Sequence, residues 1–387
     1  MKILIKLLMV ILLLTVIQKI TYAQGETAVP FLMIAPDSRA GSMGESGAGL
    51  ADNSAGIYWN PAGIAFLRGS EVSITHSNWL PQFHLDLFYD YLTYRQYIPE
   101  ISGSLTGSIT YMNYGEFART NADGPTIIGT FRSFDAAFTA GYATQLSEDW
   151  GLGLNFRIIY SKLSDAPTAE EQGRGVATSV SFDVGGMWRP GKLVLPFVGT
   201  DLGKNLSIGL NLSNMGPKMY YIDRAQADPI PTNFRLGFAY QFFSDKYNSL
   251  IYTLDFNKLL INKDTASATS QEFYQAMFTS WTNQPFKDEL RTIQTSMGLE
   301  YWYGEPGDFA FALRTGFFYE DPSYGNRKFL TFGAGVRYDI YGFDFSYLTT
   351  SVFPGGENSP LSDTLRFTIS IGWGGIVGDT RGLPRGI

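Results

Sequence analysis

Two histidines, His76 and His84, and no cysteine are all that 387 residues offer for imidazole or thiolate chemistry. The histidines flank what reads as the first hairpin turn and face each other loosely across it. No carboxylate cluster stands at ligand spacing beside them, so they make no metal site. Without cysteine there is neither a disulfide framework nor a thiolate nucleophile. The chain also lacks a His-Glu-x-x-His helix, a Gly-x-Ser-x-Gly elbow, a phosphate-binding loop and a dinucleotide fingerprint. The reading is therefore of a protein that is not an enzyme and takes no cofactor. The ionisable residues that do recur in a pattern are Arg157, Arg235, Asp255, Glu300, Arg314, Arg337, Asp344 and Arg366, each at an inward-facing position of an alternating segment. Their chemistry is ion pairing with one another in a confined interior.

What positions them is alternation. Leu365, Phe367, Ile369, Ile371 and Trp373 alternate with Arg366, Thr368, Ser370 and Gly372. Trp150, Leu152, Leu154, Phe156, Ile158 and Tyr160 alternate with Gly151, Gly153, Asn155 and Arg157, and the period recurs through Phe234–Phe242 and Leu250–Phe256. A strand sends successive side chains to opposite faces, so each of these has one greasy and one polar face. About 14 such segments can be counted, long enough to cross a bilayer at a tilt. They begin near residues 70, 83, 101, 131, 150, 176, 205, 232, 248, 294, 308, 328, 341 and 363. The expected fold is an all-β membrane protein, an antiparallel outer-membrane β-barrel. A large β-sandwich is the alternative, but aromatic residues crowding the strand ends, such as Trp79, Trp150, Trp188 and Trp302, suit an interfacial girdle.

The connections give an orientation. Those after the third, fifth, seventh, ninth, eleventh and thirteenth segments are long, about 9 to 34 residues. Most of the others are turns of about 3 to 5, the asymmetry of extracellular loops and periplasmic turns. The stretch from Pro190 to Asn205 breaks this pattern, being long on the short side.

The ends extend the reading. Lys2 and Lys6, the apolar run Leu7–Ile17 and the small-residue site ending at Ala23 predict a signal peptide over residues 1–23, too short to serve as a membrane anchor. Its removal takes the net charge from -7 to about -10 by the same counting, an acidity that argues against nucleic acid as a partner. Residues 24–69 lack strand alternation and are rich in Ala and Gly. Asn60-Pro61 fits a helix start, Asn capping and Pro at the first position. Short helices of small residues suit a plug inside a lumen; a flexible leader is the alternative. The barrel is then expected over 70–373 and a tail over 374–387.

The plug segment carries a resemblance. Arg39-Ala40-Gly41 with Met43-Gly44 and Gly47-Ala48, followed by Asp52-Asn53-Ser54-Ala55 and Trp59-Asn60-Pro61-Ala62-Gly63, resembles the N-terminus of the PorV/PorQ family of FadL-like barrels used in type IX secretion. Val29–Leu32 and Ala35–Arg39 resemble the mature start of the PorV branch. Arg39, Gly44, Asn60, Pro61 and Gly63 are then the plug-motif residues. The resemblance implies a carrier in the outer-membrane lipid. It would receive cargo, through the cargo's C-terminal signal domain, from the type IX translocon barrel and deliver it to a sortase-containing attachment complex. The segments 113–130 and 260–292 are the contact candidates. The second holds Phe273, Tyr274, Met277, Phe278, Trp281 and Phe286, six large apolar residues in a nominally exposed loop. They either meet a partner or fold over the barrel mouth. The alternative function is passive transport of hydrophobic small molecules, for which Gly103 and Gly107 would kink the third strand to open an exit; ordinary barrel curvature is the preferred reading of these glycines.

Overall fold

A sheet with one uniformly greasy face and one face of small and polar residues can bury the second face and lose its edges by closing on itself. The computed structural model describes residues 27–121, 124–164, 175–196, 199–262, 269–305, 307–354, 356 and 359–374. Fourteen strands among them form a closed antiparallel barrel. They are β1 Ser70–Asn78, β2 Phe88–Ile98, β3 Gly103–Asn121, β4 Gly124–Gln145, β5 Trp150–Lys162, β6 Val176–Trp188 and β7 Leu206–Met215. The circuit continues through β8 Asn233–Ser244, β9 Asn248–Leu259, β10 Gln294–Gly304, β11 Ala310–Tyr319, β12 Lys328–Tyr338, β13 Tyr341–Thr349 and β14 Thr364–Trp373. Each strand pairs with its sequence neighbours, and β1 meets β14 from Ser70↔Trp373 to Ser77↔Arg366. Ile74, Leu92, Ile109, Phe138, Leu154 and Ile369 stand exposed on the outer wall, whereas Ser73, Thr93, Asn155 and Arg366 are buried inside. No helix of the described residues is long and apolar enough to cross a membrane; the strands do that.

Connections 99–102, 146–149, 245–247, 305–309 and 339–340 share one end with the start of β1 and the finish of β14. This is the periplasmic end. Connections 79–87, 216–232, 260–293, 320–327 and 350–363 lie at the other.

Two expected strand limits shift. The second strand begins at Phe88, not near 83, because Leu80 (φ 50) and His84 (φ 53) sit in the left-handed region around the 3-10 turn Pro81–Phe83. Such backbone cannot continue a ladder. The connection expected after the third strand is itself sheet. Past a bulge between Asn113 and Glu116, where Gly115 takes φ 85, β3 and β4 pair on to Asn121↔Gly124. Pairing with β2 stops at Asn113 and with β5 at Phe134, so among the described residues the far end is a two-stranded arm whose outer edges pair with no strand. Gly103 and Gly107 lie in unbroken pairing with β2 and β4, as ordinary barrel wall and not as an exit.

The lumen is occupied by the segment preceding β1. It comprises the 3-10 turn Pro30–Met33, α1 Ser38–Gly41, α2 Gly56–Trp59 and the 3-10 turn Pro61–Phe66. It starts at the extracellular end, where the Ala28 N–H donates to the Pro229 carbonyl at 3.0 Å, and leaves at the periplasmic end into β1. Phe31, Ile57, Trp59, Ile64 and Phe66 pack against Tyr89, Tyr91, Met112 and Met187 of the wall as one core. The expected signal peptide, residues 1–23, and the tail beyond Gly374 fall outside the described residues.

Candidate functional site

The plug is fastened to the wall by charge. Asp37 caps α1 by accepting from the Ala40 N–H at 3.0 Å, while its second oxygen accepts from Trp59 Nε1 at 2.5 Å. This fixes the first turn, from which Arg39 reaches two carboxylates. Its Nη1 stands 2.6 Å from Asp52 of the plug, and its Nε and Nη2 each stand 2.7 Å from Glu300 of β10. Glu300 also takes Arg314 Nε at 2.6 Å; Arg314 Nη1 reaches Asp344 at 2.8 Å, and Asp344 takes Arg337 Nη2 at 2.6 Å. The series Asp52, Arg39, Glu300, Arg314, Asp344, Arg337 alternates in sign, so a nearly dry interior holds it without net charge. Each member depends on its neighbours, because one buried ion left unpaired is far costlier than the pair.

The remaining lumen residues act separately. Arg366 pairs with Glu45 of the plug at 3.0 Å. Asp255 accepts from Ser46 Oγ and from the Gly47 and Ala48 backbone N–H groups at 2.9 to 3.0 Å, cradling a plug turn. Arg157 pairs with Asp183 of β6 at 2.7 Å. Arg235 departs from expectation. Among the described residues no carboxylate lies within 4.0 Å of it; its guanidinium instead lies 4.7 Å over the Trp59 ring and reaches Asn257 at 3.3 Å. Stacking on an aromatic face is a second way for Arg to tolerate burial.

Sequence reasoning did not single out Asp183, Glu45 or Arg189, and it placed Asp52 in the plug motif without assigning it a charge partner. Asp183 was readable, since it sits between Phe182 and Val184 at a lumen-facing position. Asp52 and Glu45 lie in non-periodic plug sequence that gives no facing signal. Arg189, just past β6, donates to the Leu50 carbonyl at 2.9 Å and lies 4.5 Å over the Phe66 ring.

The plug-motif residues seat the backbone. Asn60 accepts from the Ala62 N–H at 3.1 Å and donates to the Gly186 carbonyl at 3.0 Å, with Pro61 opening the 3-10 turn behind it. Gly44 takes φ 68 and donates to Thr331 Oγ1 at 2.8 Å. Gly63 leaves no room for a side chain, since a Cβ there would lie 2.2 Å from the Ala51 carbonyl oxygen. Lumen-facing glycines of the wall answer these: a Cβ on Gly209 or on Gly316 would lie 2.0 Å from plug backbone. Among the described residues two cavities lie between plug and wall, one of them lined by Leu32, Ile57, Tyr58, Tyr89 and Tyr91 with Ser108, Thr110, Thr139 and Arg157. The other is lined by Arg157, Asn211, Asn214, Asn233 and Arg235 beside Leu32 and Tyr58.

The loops carry the exposed apolar surface. In 260–293, α4 (Phe286–Arg291) is held by Lys258 to Glu289 at 2.7 Å and by Arg291 to Asp321 at 3.2 Å, and α3 (Phe273–Thr279) by Asn262 donating to Thr279 Oγ1 at 3.1 Å. Trp281 packs edge-on against Phe234, an outward-facing residue at the top of β8. Tyr274, Phe278 and Phe286 remain 55 %, 73 % and 77 % exposed, and Phe273 and Met277 are half-buried. The β3–β4 arm exposes Phe117, Ile127 and Ile128. His76 does not face His84. It points outward and pairs with Asp90 at 2.7 Å, both well exposed, beside Phe88.

A closed barrel with a greasy outer wall, an aromatic-rich rim and a lumen filled by its own N-terminal segment is a plugged outer-membrane protein. The family model described as type IX secretion system protein PorV matches residues 19–266. The chain belongs to that family, and its location is the outer membrane. No curated protein sequence matches it. Among solved structures it is similar to a TodX monoaromatic hydrocarbon channel carrying the deltaS2S3 mutation, with 11 % identity and a TM-score of 0.50 over 87 % of this chain and 97 % of that one. The P. putida toluene transporter TodX gives 10 % identity and 0.49 over 87 % and 98 %. A Pseudomonas aeruginosa FadL homologue gives 10 % and 0.45 over 87 % and 97 %. At these identities the likeness is one of fold, that of the FadL-like barrels.

Proposed function

We propose that the protein is a closed docking barrel of type IX secretion. It receives cargo from the translocon barrel through the cargo's C-terminal signal domain and hands it to a sortase-containing attachment complex. The observation that carries this reading is the division of the molecule. The lumen is packed with plug and latched by buried ion pairs, while large apolar side chains stand exposed on α3, α4 and the β3–β4 arm. Binding residues on loops held by a rigid scaffold are the usual arrangement for recognition. An open edge on the arm offers backbone pairing as well. Passive transport of hydrophobic molecules has less support, because Gly103 and Gly107 sit in unbroken pairing and Arg157 lines both cavities beside the plug.

Deletion of the gene tests the reading: signal-bearing cargo should reach the medium unattached, and normal surface attachment would sink it. Co-purification adds the partner. The barrel should bring down cargo signal domains and a much larger barrel.

A further inference from the structure

The ion-pair chain grips the plug from the β10–β13 side of the wall. On β7 and β8 the contact is of another kind. Asn211 and Arg235 stand directly opposite each other across these two strands, and Asn233 is the inward-facing residue of β8 next to Arg235. Asn211, Asn233 and Arg235 are 2 %, 2 % and 9 % exposed, and all three line one cavity with Leu32 and Tyr58 of the plug. Each also carries one buried atom without a hydrogen-bond partner among the described residues: Asn211 Oδ1, Asn233 Oδ1 and Arg235 Nη1. Buried polar atoms are rarely left so.

The neighbours settle that the two asparagine atoms are oxygens. Asn211 Nδ2 donates to the Trp59 carbonyl at 3.1 Å, which leaves its oxygen as the unpaired atom. Asn233 heads a relay. Its Nδ2 donates to Asn257 Oδ1 at 2.6 Å, Asn257 Nδ2 to Gln294 Oε1 at 2.7 Å, and Gln294 Nε2 to Glu320 at 2.8 Å. Glu320 is paired with Arg327 at 2.9 Å, and an ionised carboxylate only accepts. The relay therefore runs in one direction, and an oxygen of Asn233 remains at its head. Arg235 offers the opposite, since a guanidinium has N–H donors and no acceptor. Its Nε is spent on Asn257 at 3.3 Å.

We infer that this cavity is a binding site for one small neutral molecule that accepts one hydrogen bond and donates two, and that the molecule is water. Size and count agree. The cavity has room for about one water molecule, which would accept from Arg235 Nη1 and donate to Asn211 and Asn233. A halide would answer the arginine but face two amide oxygens. An apolar ligand would leave all three atoms unpaired, each at a desolvation cost. Asn211 holds the Trp59 carbonyl and Arg235 lies 4.7 Å over the Trp59 ring, so the bridging water completes the seat of the plug on β7 and β8. There the plug is held through an exchangeable molecule, whereas β10 holds it through ions.

Crystals of the full-length barrel test this at a resolution that shows ordered water. Expected is one compact density peak within hydrogen-bond distance of Arg235 Nη1, Asn211 Oδ1 and Asn233 Oδ1 together, with no anomalous signal after soaking in bromide. Asn211→Leu combined with Asn233→Leu should lose that peak, while an unchanged gel shift between heated and unheated samples shows the barrel intact. Should the double variant fail to fold, the native crystals decide alone. An anomalous bromide peak would mean an anion, elongated density a larger solute, and an empty cavity a dry contact. Any of these overturns the inference, as does a peak that survives the loss of both acceptors.

Discussion

Arg39 and Glu300 are joined by two hydrogen bonds of 2.7 Å, and both side chains are almost wholly withdrawn from solvent. One belongs to the plug and the other to β10. This fork-to-fork contact is where the N-terminal segment and the barrel become one body.

Glu300→Ala leaves both Arg39 and Arg314 without the carboxylate they share. The expected cost is about 3–5 kcal/mol, the range for breaking a buried pair from one side. It should appear as a lowered midpoint for heat-induced unfolding on semi-native gels. A double-mutant cycle of Arg39→Met and Glu300→Met should show strong coupling; additive losses would mean the contact does not fasten the plug.

Gly316→Val puts a side chain where plug backbone lies. A Cβ alone would stand 2.0 Å from the Gly44 nitrogen, and neither backbone can yield without unseating the plug. The native barrel should be silent in planar bilayers. The variant should conduct while retaining its β-sheet circular dichroism, and silence in both would show that the plug holds its place by other contacts.

Phe278→Asp and Phe286→Asp alter residues that are 73 % and 77 % exposed. Stability should change by no more than about 0.5 kcal/mol, as for other surface positions. Cargo attachment should nevertheless fall sharply if the proposed docking is right. Full attachment with both aspartates present would remove α3 and α4 from the contact surface.

Acid should loosen the turn at Asp201. Hydrogen bonds from Leu193 and Gly203 lower its folded pKa, so the stabilisation is complete above the unfolded value and is lost as pH falls through the folded one. Limited proteolysis of the 189–205 connection should therefore be flat from neutrality down to about pH 5, given an unfolded aspartate near 3.9, and rise only at lower pH. Asp201→Asn should be cut faster at neutral pH.

Much of this architecture was legible because a period of two is a strong signal when one face meets lipid and the other does not. Leu365 to Trp373 read as a strand, and they form β14. The arm was not legible: beyond Gly115 no face is buried, so Glu116 to Arg119 show no clear alternation even though they pair. The glycines at lumen-facing positions read as neutral gaps between apolar residues. Gly209 and Gly316 are shaped by plug backbone, a partner that lies far away in the chain. For the same reason Asp52 gave no sign of Arg39. Their pairing arises only when the plug folds back on itself within the barrel.

The hydrogen bond between Ala28 and Pro229 has a consequence for how the molecule is made. The plug runs from an extracellular loop to the periplasmic rim, so it spans the full height of a cylinder whose last seam joins Ser70 to Trp373. A cork of that length, gripped by glycines and ion pairs around its circumference, cannot be pushed in afterwards. The wall has to be rolled around it, and the zipping of β1 to β14 is the step that makes the enclosure permanent.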